Sequence, residues 1–178
     1  MKVLMINSVC GIKSTGRIAT DLADILTEEG HTVKIGYGRD IVPDIYSKYA
    51  VRIGSDWDVR LHGAMARAFD NAGFGSREAT LKFIEWVKEF APDIIHLHNL
   101  HGYYLNVEIL FEFLKEYNKP VVWTLHDCWA FTGHCAHFDL YKCYKWQTEC
   151  YECPQKKEYP ASLLLDNSRN NYIRKKQA

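Results

Sequence analysis

Six of the eight histidines fall between His96 and His137, and five of the six cysteines between Cys128 and Cys153. A neutral imidazole both donates and accepts hydrogen bonds, which suits it to polyol hydroxyls or phosphate oxygens. His98, Asn99 and His101 stand in the run HLHNLHGYY, and His126 and Asp127 in HDCW. A carboxylate beside an imidazole fixes its tautomer or caps a helix, which makes His126 and Asp127 the candidate catalytic pair. His96, two residues before His98, reads as the deeper of the two and as a core histidine. A metal-dependent hydrolase would take His98, His126 and Asp127 as ligands, but the dense acidic set such a site needs is missing.

Cys135, Cys143, Cys150 and Cys153 are separated by seven, six and two residues. The closing C-x-x-C presents two thiolates to one metal, whereas the first pair has no diagnostic spacing. A structural four-thiolate zinc site is the expectation. Disulfides, an iron–sulfur cluster and free thiols are the alternatives, and Cys128 and His134 are reserve ligands. A long aromatic-rich loop also needs some staple to offset its entropy.

A third group is GIKSTGR, from Gly11 to Arg17. Unpaired amides and the helix dipole at a helix N-terminus favour an anion, so Gly11, Ser14, Thr15, Gly16 and Arg17 are candidate phosphate contacts. The run matches neither a Walker loop nor the G-x-G-x-x-G fingerprint. A turn whose glycines take positive φ explains the same residues without a ligand.

These groups need elements to position them. Val3 to Ile6 reads as a buried strand, followed by a small-residue loop. Next comes a helix capped by Ser14 or Thr15, with Ile18, Leu22, Ile25 and Leu26 inward and Gly30 as its stop. His31 to Tyr37 is a second strand and Tyr49 to Ile53 a short third. A helix follows with Leu61, Met65, Ala68 and Phe69 on its inner face. Ser76 opens another, with Thr80, Phe83, Ile84, Val87 and Phe90 inward, before the strand Ile94 to Leu97. Asn106 caps a helix carrying Leu110, Phe113, Leu114 and Tyr117, and Val121 to Leu125 is a further buried strand. This alternation predicts an α/β fold with a doubly wound, mostly parallel, Rossmann-like sheet over residues 1–126. Ligands of such sheets lie beyond the carboxyl ends of the strands, where all the imidazole and glycine runs fall. Residues 127–160 form a Cys- and aromatic-rich loop of the same domain. Residues 161–178 begin a helix, capped by Ser162 and carrying Leu165, Arg169, Tyr172 and Ile173. It has no terminator, which predicts that a further domain is missing.

With 178 residues, 47% hydrophobic and 25% charged, the chain suits one globular domain and not a disordered, collagenous or coiled-coil protein. Its 22 basic side chains equal its 22 acidic ones, which argues against a nucleic-acid partner. No apolar run is long enough to span a bilayer, and Asn7 and Ser8 interrupt the start too early for a signal peptide. A cytoplasmic location with reduced thiols is the expectation.

NSVCGIKSTGR, PDIIHLHNLHGYYLN, WTLHDCWAFTGHC and CPQKKEYP together resemble the N-terminal half of bacterial family 4 glycosyltransferases, nearest the capsule and exopolysaccharide type. The resemblance implies a two-domain GT-B enzyme. Its acceptor-side domain would be this chain, and its missing C-terminal domain would hold most of the nucleotide-sugar donor and a pair of positioning glutamates. It implies that His126 contacts the donor sugar near the reacting carbon, and that the Gly11 and Gly16 turn lies near donor phosphates and acceptor. It further implies retention of anomeric configuration, no catalytic metal, and a saccharide or lipid-linked acceptor reached by peripheral association with the inner membrane face. The fragment alone is expected to be inactive. The competing reading is a noncatalytic zinc-stapled interaction module that exposes Trp129, Phe131, Tyr144 and Trp146 to a partner.

Overall fold

The computed structural model describes all 178 residues. Its strands form where short apolar runs can be buried on both faces: β1 (Lys2–Asn7), β2 (Thr32–Tyr37), β3 (Ala50–Arg52), β4 (Ile94–Leu97) and β5 (Val121–Trp123). They lie in the order β3-β2-β1-β4-β5, and every neighbouring pair is parallel. Alternation along the central β1 divides the core in two. Leu4 and Ile6 join Ile95 and Leu97 under α3 (Arg77–Phe90) and α4 (Val107–Tyr117). Val3 and Met5 join Val33 and Ile35 under α1 (Lys13–Glu28). Crossovers between parallel strands put helices on both faces, so the domain is the doubly wound Rossmann-like sheet anticipated above. Two more helices complete it, α2 (Asp56–Phe69) and α5 (Ser168–Gln177), the latter tied to α4 by Arg174 and Glu108. No helix is long and apolar enough to cross a membrane.

Helix capping agrees with the sequence at Asn106, whose side chain accepts from the Ile109 N–H. It differs at α1, which begins at Lys13 behind an extended Ile12 with no side-chain cap. Ser14, Thr15 and Gly16 therefore belong to the first turn and not to a loop. The face α1 buries is Gly16, Ala19, Thr20 and Ala23, while Ile18 and Ile25 are exposed. Small residues let the helix backbone approach the sheet: a Cβ on Gly16 would stand 3.0 Å from Val9 Cγ2.

The same preference for close approach inverts α2. Its buried residues are His62, Gly63 and Ala66; of the anticipated inner stripe, Leu61, Met65 and Phe69 face outward and Ala68 is half-buried. Gly63 lies over the Tyr103 ring, 3.4 Å from an ideal Cβ, where a larger residue would hold the helix off.

At the other end of the sheet, β5 stops at Trp123 and forms its edge, so Val121 and Val122 are exposed and not buried. The third strand is limited to three residues. Ser162 caps no helix. It sits in a turn that donates backbone N–H groups from Leu163 and Leu165 to the carbonyls of Arg67 and Ala68 at the end of α2, and the last helix starts at Ser168. Between Asp127 and Asn167 the chain forms only two short 3-10 turns, Phe138–Tyr141 and Lys145–Gln147.

Candidate functional site

Because β4 and β5 run parallel and end side by side, the residues that follow them meet at one rim of the sheet. His98, Asn99, His101, His126 and Asp127 line one small pocket together with Trp123 and Trp129. His98 Nδ1 and His126 Nε2 are 3.1 Å apart with their rings stacked. Burial, reinforced by His96 and His126, pulls the His98 pKa down to about 3, so that ring is neutral. Its Nε2 has no partner. A bare acceptor is tolerated better than a bare donor, which places the His98 proton on Nδ1, donating to His126. With that arrangement the remaining proton of a neutral His126 sits on Nδ1.

The depth order of His96 and His98 is opposite to the sequence expectation. His98 is buried, whereas His96 is half-exposed and bonds Thr124 Oγ1 at 2.8 Å. The edge position of β5 leaves that side of the sheet open.

Asp127 pairs with a different imidazole from its sequence neighbour. His101 Nε2 lies 2.6 Å from Asp127 Oδ2, and His101 Nδ1 lies 3.0 Å from Tyr159 Oη. Asp127 Oδ1 accepts from the Trp129 N–H at 2.9 Å. Burial pushes the Asp127 carboxyl up, but the His101 and Trp129 hydrogen bonds outweigh it and hold the pKa below its ordinary value. Asp127 thus orients His101, whose ring separates the small pocket from an open groove walled by His137, Tyr141, Glu158 and Tyr159.

The α1 N-terminus reaches this rim through a residue the sequence reading missed. Asn7, fully buried at the end of β1, donates to Val9 O (2.8 Å) and Thr15 Oγ1 (3.3 Å) and accepts from the Asn99 N–H (3.2 Å). Gly11 takes φ 73° and donates its N–H to Gly16 O. Ser14 and Arg17 are exposed, and no residue from Gly11 to Arg17 lines the imidazole pocket. Lys13 is held by Asp40 at 2.6 Å. Arg39 and Tyr159 were also missed. Arg39 lies against Gly102, and the Tyr159 hydroxyl is pushed up to about 12 by burial above all. Asn7 could have been noticed as a polar residue ending an apolar strand, where burial obliges it to find partners.

Cys135, Cys143, Cys150 and Cys153 line one separate cavity, and none forms a disulfide. The aromatic loop is not an open surface. Trp129 is buried, Phe131 and Trp146 pack on each other and on Phe138, and of the four named residues only Tyr144 is exposed.

An open parallel sheet with a polar, imidazole-lined pocket at its carboxyl edge defines a Rossmann-like α/β domain. The chain belongs to Glycosyltransferase Family 4, whose profile matches residues 15–154. It is similar to a putative colanic acid biosynthesis glycosyl transferase, WcaC, of Escherichia coli (strain K12), with 36% identity over 102 residues. That alignment covers 54% of this chain and 24% of the relative, so the chain matches about a quarter of the relative's length.

Proposed function

We propose that the chain is the acceptor-side domain of a retaining hexosyltransferase. The enzyme would move a sugar from a nucleotide-sugar to a saccharide or lipid-linked acceptor in cell-surface polysaccharide synthesis, at the cytoplasmic face of a membrane. The family match and the relative's name support the class. One observation carries the assignment to this site: His98, Asn99, His101, His126 and Asp127, from two strand ends, converge on one pocket. In this reading His126 donates its free N–H to an oxygen of the donor sugar and helps position it. The amides of the first α1 turn, positioned by Asn7, face the departing diphosphate, with Arg17 adding charge. The groove beside His101 and Tyr159 takes the acceptor. Donor binding falls mainly to a second lobe, for which the unmatched remainder of the relative leaves room. The reading assigns no catalytic metal and expects little transfer from the 178 residues alone, since half a cleft cannot surround a transition state.

The test uses the full-length protein carrying this domain and scores sugar transfer from a panel of nucleotide-sugars. His126→Ala should lower kcat by about tenfold or more with the melting temperature retained. Near-normal turnover removes His126 from the mechanism.

A further inference from the structure

Large apolar side chains from two segments stand exposed beside one another on α2 and the turn that follows Pro160. Trp57, Leu61, Met65 and Phe69 recur every four residues along α2, and all are exposed, Trp57 at 77%. Four residues advance a helix by about 40° beyond a full turn, so this stripe winds slowly along its outward side. Leu163, Leu164 and Leu165 follow one another in an irregular turn and are between 52% and 70% exposed. Backbone hydrogen bonds join the two groups. The Leu163 N–H donates to Arg67 O at 2.7 Å and the Leu165 N–H to Ala68 O at 3.2 Å, which seats the leucines at the end of the α2 stripe. The inner side of α2 is committed to the domain, where Ala66 clusters with Tyr103 and Val59 packs against the core under α3. Single exposed apolar residues are ordinary, but a continuous group of this size marks a surface that is covered in use.

The free charges beside this surface are of one sign. Arg60 and Arg67 stand exposed on α2. Lys156 and Lys157 lie in the turn before the leucines, held close by the Ser162 N–H, which donates to Lys156 O at 2.8 Å. None of these cations has a carboxylate partner, because the neighbouring carboxylates are engaged elsewhere. Asp56 holds Arg52 at 2.6 Å, Asp58 closes the capping box with Ser55, and Asp166 accepts from the Cys153 N–H and from Ser168. Glu158 lines the groove beside His101. An apolar strip with Trp and Leu, edged by unpaired Arg and Lys, has the composition of an element that lies in a membrane interface. Its apolar groups enter the acyl boundary, while the cationic heads stay among anionic headgroups with their stems along the apolar surface. A second copy of the chain fits less well, since a two-fold contact would set the same unpaired cations against each other.

We propose that the outward side of α2 and the Leu163–Leu165 turn form one surface that docks the domain on a bilayer carrying anionic phospholipids. The α2 stripe and the leucines enter the interface, and Arg60, Arg67, Lys156 and Lys157 meet headgroup phosphates. Tyr159, which precedes the leucines in the same segment, walls the groove beside His101, so docking brings that groove toward the headgroup layer. The inference deepens the proposed function, from which it takes the membrane location, by assigning the surface that makes the contact. Docking needs no transfer chemistry and is tested without it.

The experiment sediments the 178-residue chain with vesicles of phosphatidylcholine alone and of phosphatidylcholine mixed with phosphatidylglycerol. The chain should pellet with the mixed vesicles, far less with the neutral ones, and be released by added salt. Leu164→Glu should weaken partitioning by about tenfold or more, the effect of withdrawing one leucine from the apolar layer. Arg60→Gln combined with Arg67→Gln should remove most of the preference for anionic lipid. These substitutions replace exposed side chains, so the melting temperature should hold. Ile25→Glu, on α1 against the opposite face of the sheet, should bind as the unmutated chain does. Trp57 fluorescence should shift to the blue on binding, and Trp57→Phe should lose that shift. A chain that ignores the mixed vesicles, or binding that Leu164→Glu leaves intact, overturns the proposal. So does a dimer, seen by light scattering, that Leu164→Glu dissociates and vesicles do not bind, which would assign the surface to contact between copies. Transfer is not scored, so a full-length enzyme that transfers sugar while this domain ignores vesicles refutes the docking alone, and a docking domain in an enzyme without transfer refutes only the function.

Discussion

Replacing Asp127 separates the charge of the His101–Asp127 pair from its shape. The Asp127 side chain is 15% exposed and accepts two hydrogen bonds, from His101 at 2.6 Å and the Trp129 N–H at 2.9 Å. Its folded pKa is depressed, so it contributes stability above the unfolded value of about 3.9 that is lost as pH falls through the folded value. Asp127→Asn keeps the shape and one acceptor but no charge. Exchanging a charged hydrogen bond for a neutral one should cost about 1–1.5 kcal/mol at neutral pH. The gap should close in acid, once the native carboxyl is also protonated. Asp127→Ala strands both His101 Nε2 and the Trp129 N–H in a partly buried site, and should cost about 2–4 kcal/mol. Urea unfolding followed by tryptophan fluorescence, from neutral pH down to the lowest pH at which the chain stays folded, measures both. An Asn deficit that stays constant across that range would show that no ionised carboxylate stabilises the fold, and the assignment of Asp127 as the group orienting His101 would fail.

Other substitutions probe the frame. Asn7→Ala leaves the Val9 carbonyl and Asn99 N–H without their partner and should cost about 2–4 kcal/mol in the same assay; a loss within the error of the melt would mean the bridge does not hold the rim together. Gly36→Ala puts a Cβ 2.5 Å from Phe83 Cζ on the β2 core face, and should lower stability by about 1–3 kcal/mol through overpacking. Leu61→Glu, on the outward face of α2 with Leu61 64% exposed, should change stability by less than about 0.5 kcal/mol. A large loss there, seen by thermal melting, would mean that α2 buries the stripe its periodicity suggested.

The sheet was legible because its evidence is local. Val3–Ile6, Thr32–Tyr37 and Ile94–Leu97 are short apolar runs punctuated by polar or helical segments, and parallel order follows once helices separate them. Helix faces were less legible because hydrophobic periodicity assumes that the largest apolar residues pack. In α1 and α2 the sheet and the Tyr103 ring are approached at glycine and alanine instead, which turns Ile25, Leu61 and Phe69 outward. Close approach is a property of the partner surface, and neither helix's own sequence contains it. The edge of the sheet was hidden for a related reason: Val121 and Val122 look like a buried strand whether or not a neighbour lies beyond them.

The strand-end histidines were found by topology alone, since residues following adjacent parallel strands must share a rim whatever their side chains do. What topology does not specify is which of them pair. Asp127 adjoins His126 in sequence yet bonds His101, 26 residues away, and His126 instead meets His98. The partners that complete the arrangement are as distant: Asn99 reaches back 92 residues to Asn7, and Tyr159 reaches His101 across 58. Such hydrogen bonds leave no pattern in a window of sequence. The swap nevertheless has a chemical consequence. The observed pairing gives the carboxylate to His101 and sets His126 against the His98 ring. On the function proposed above, with His98 setting the tautomer of His126, His98→Ala should impair transfer while leaving the carboxylate pair untouched.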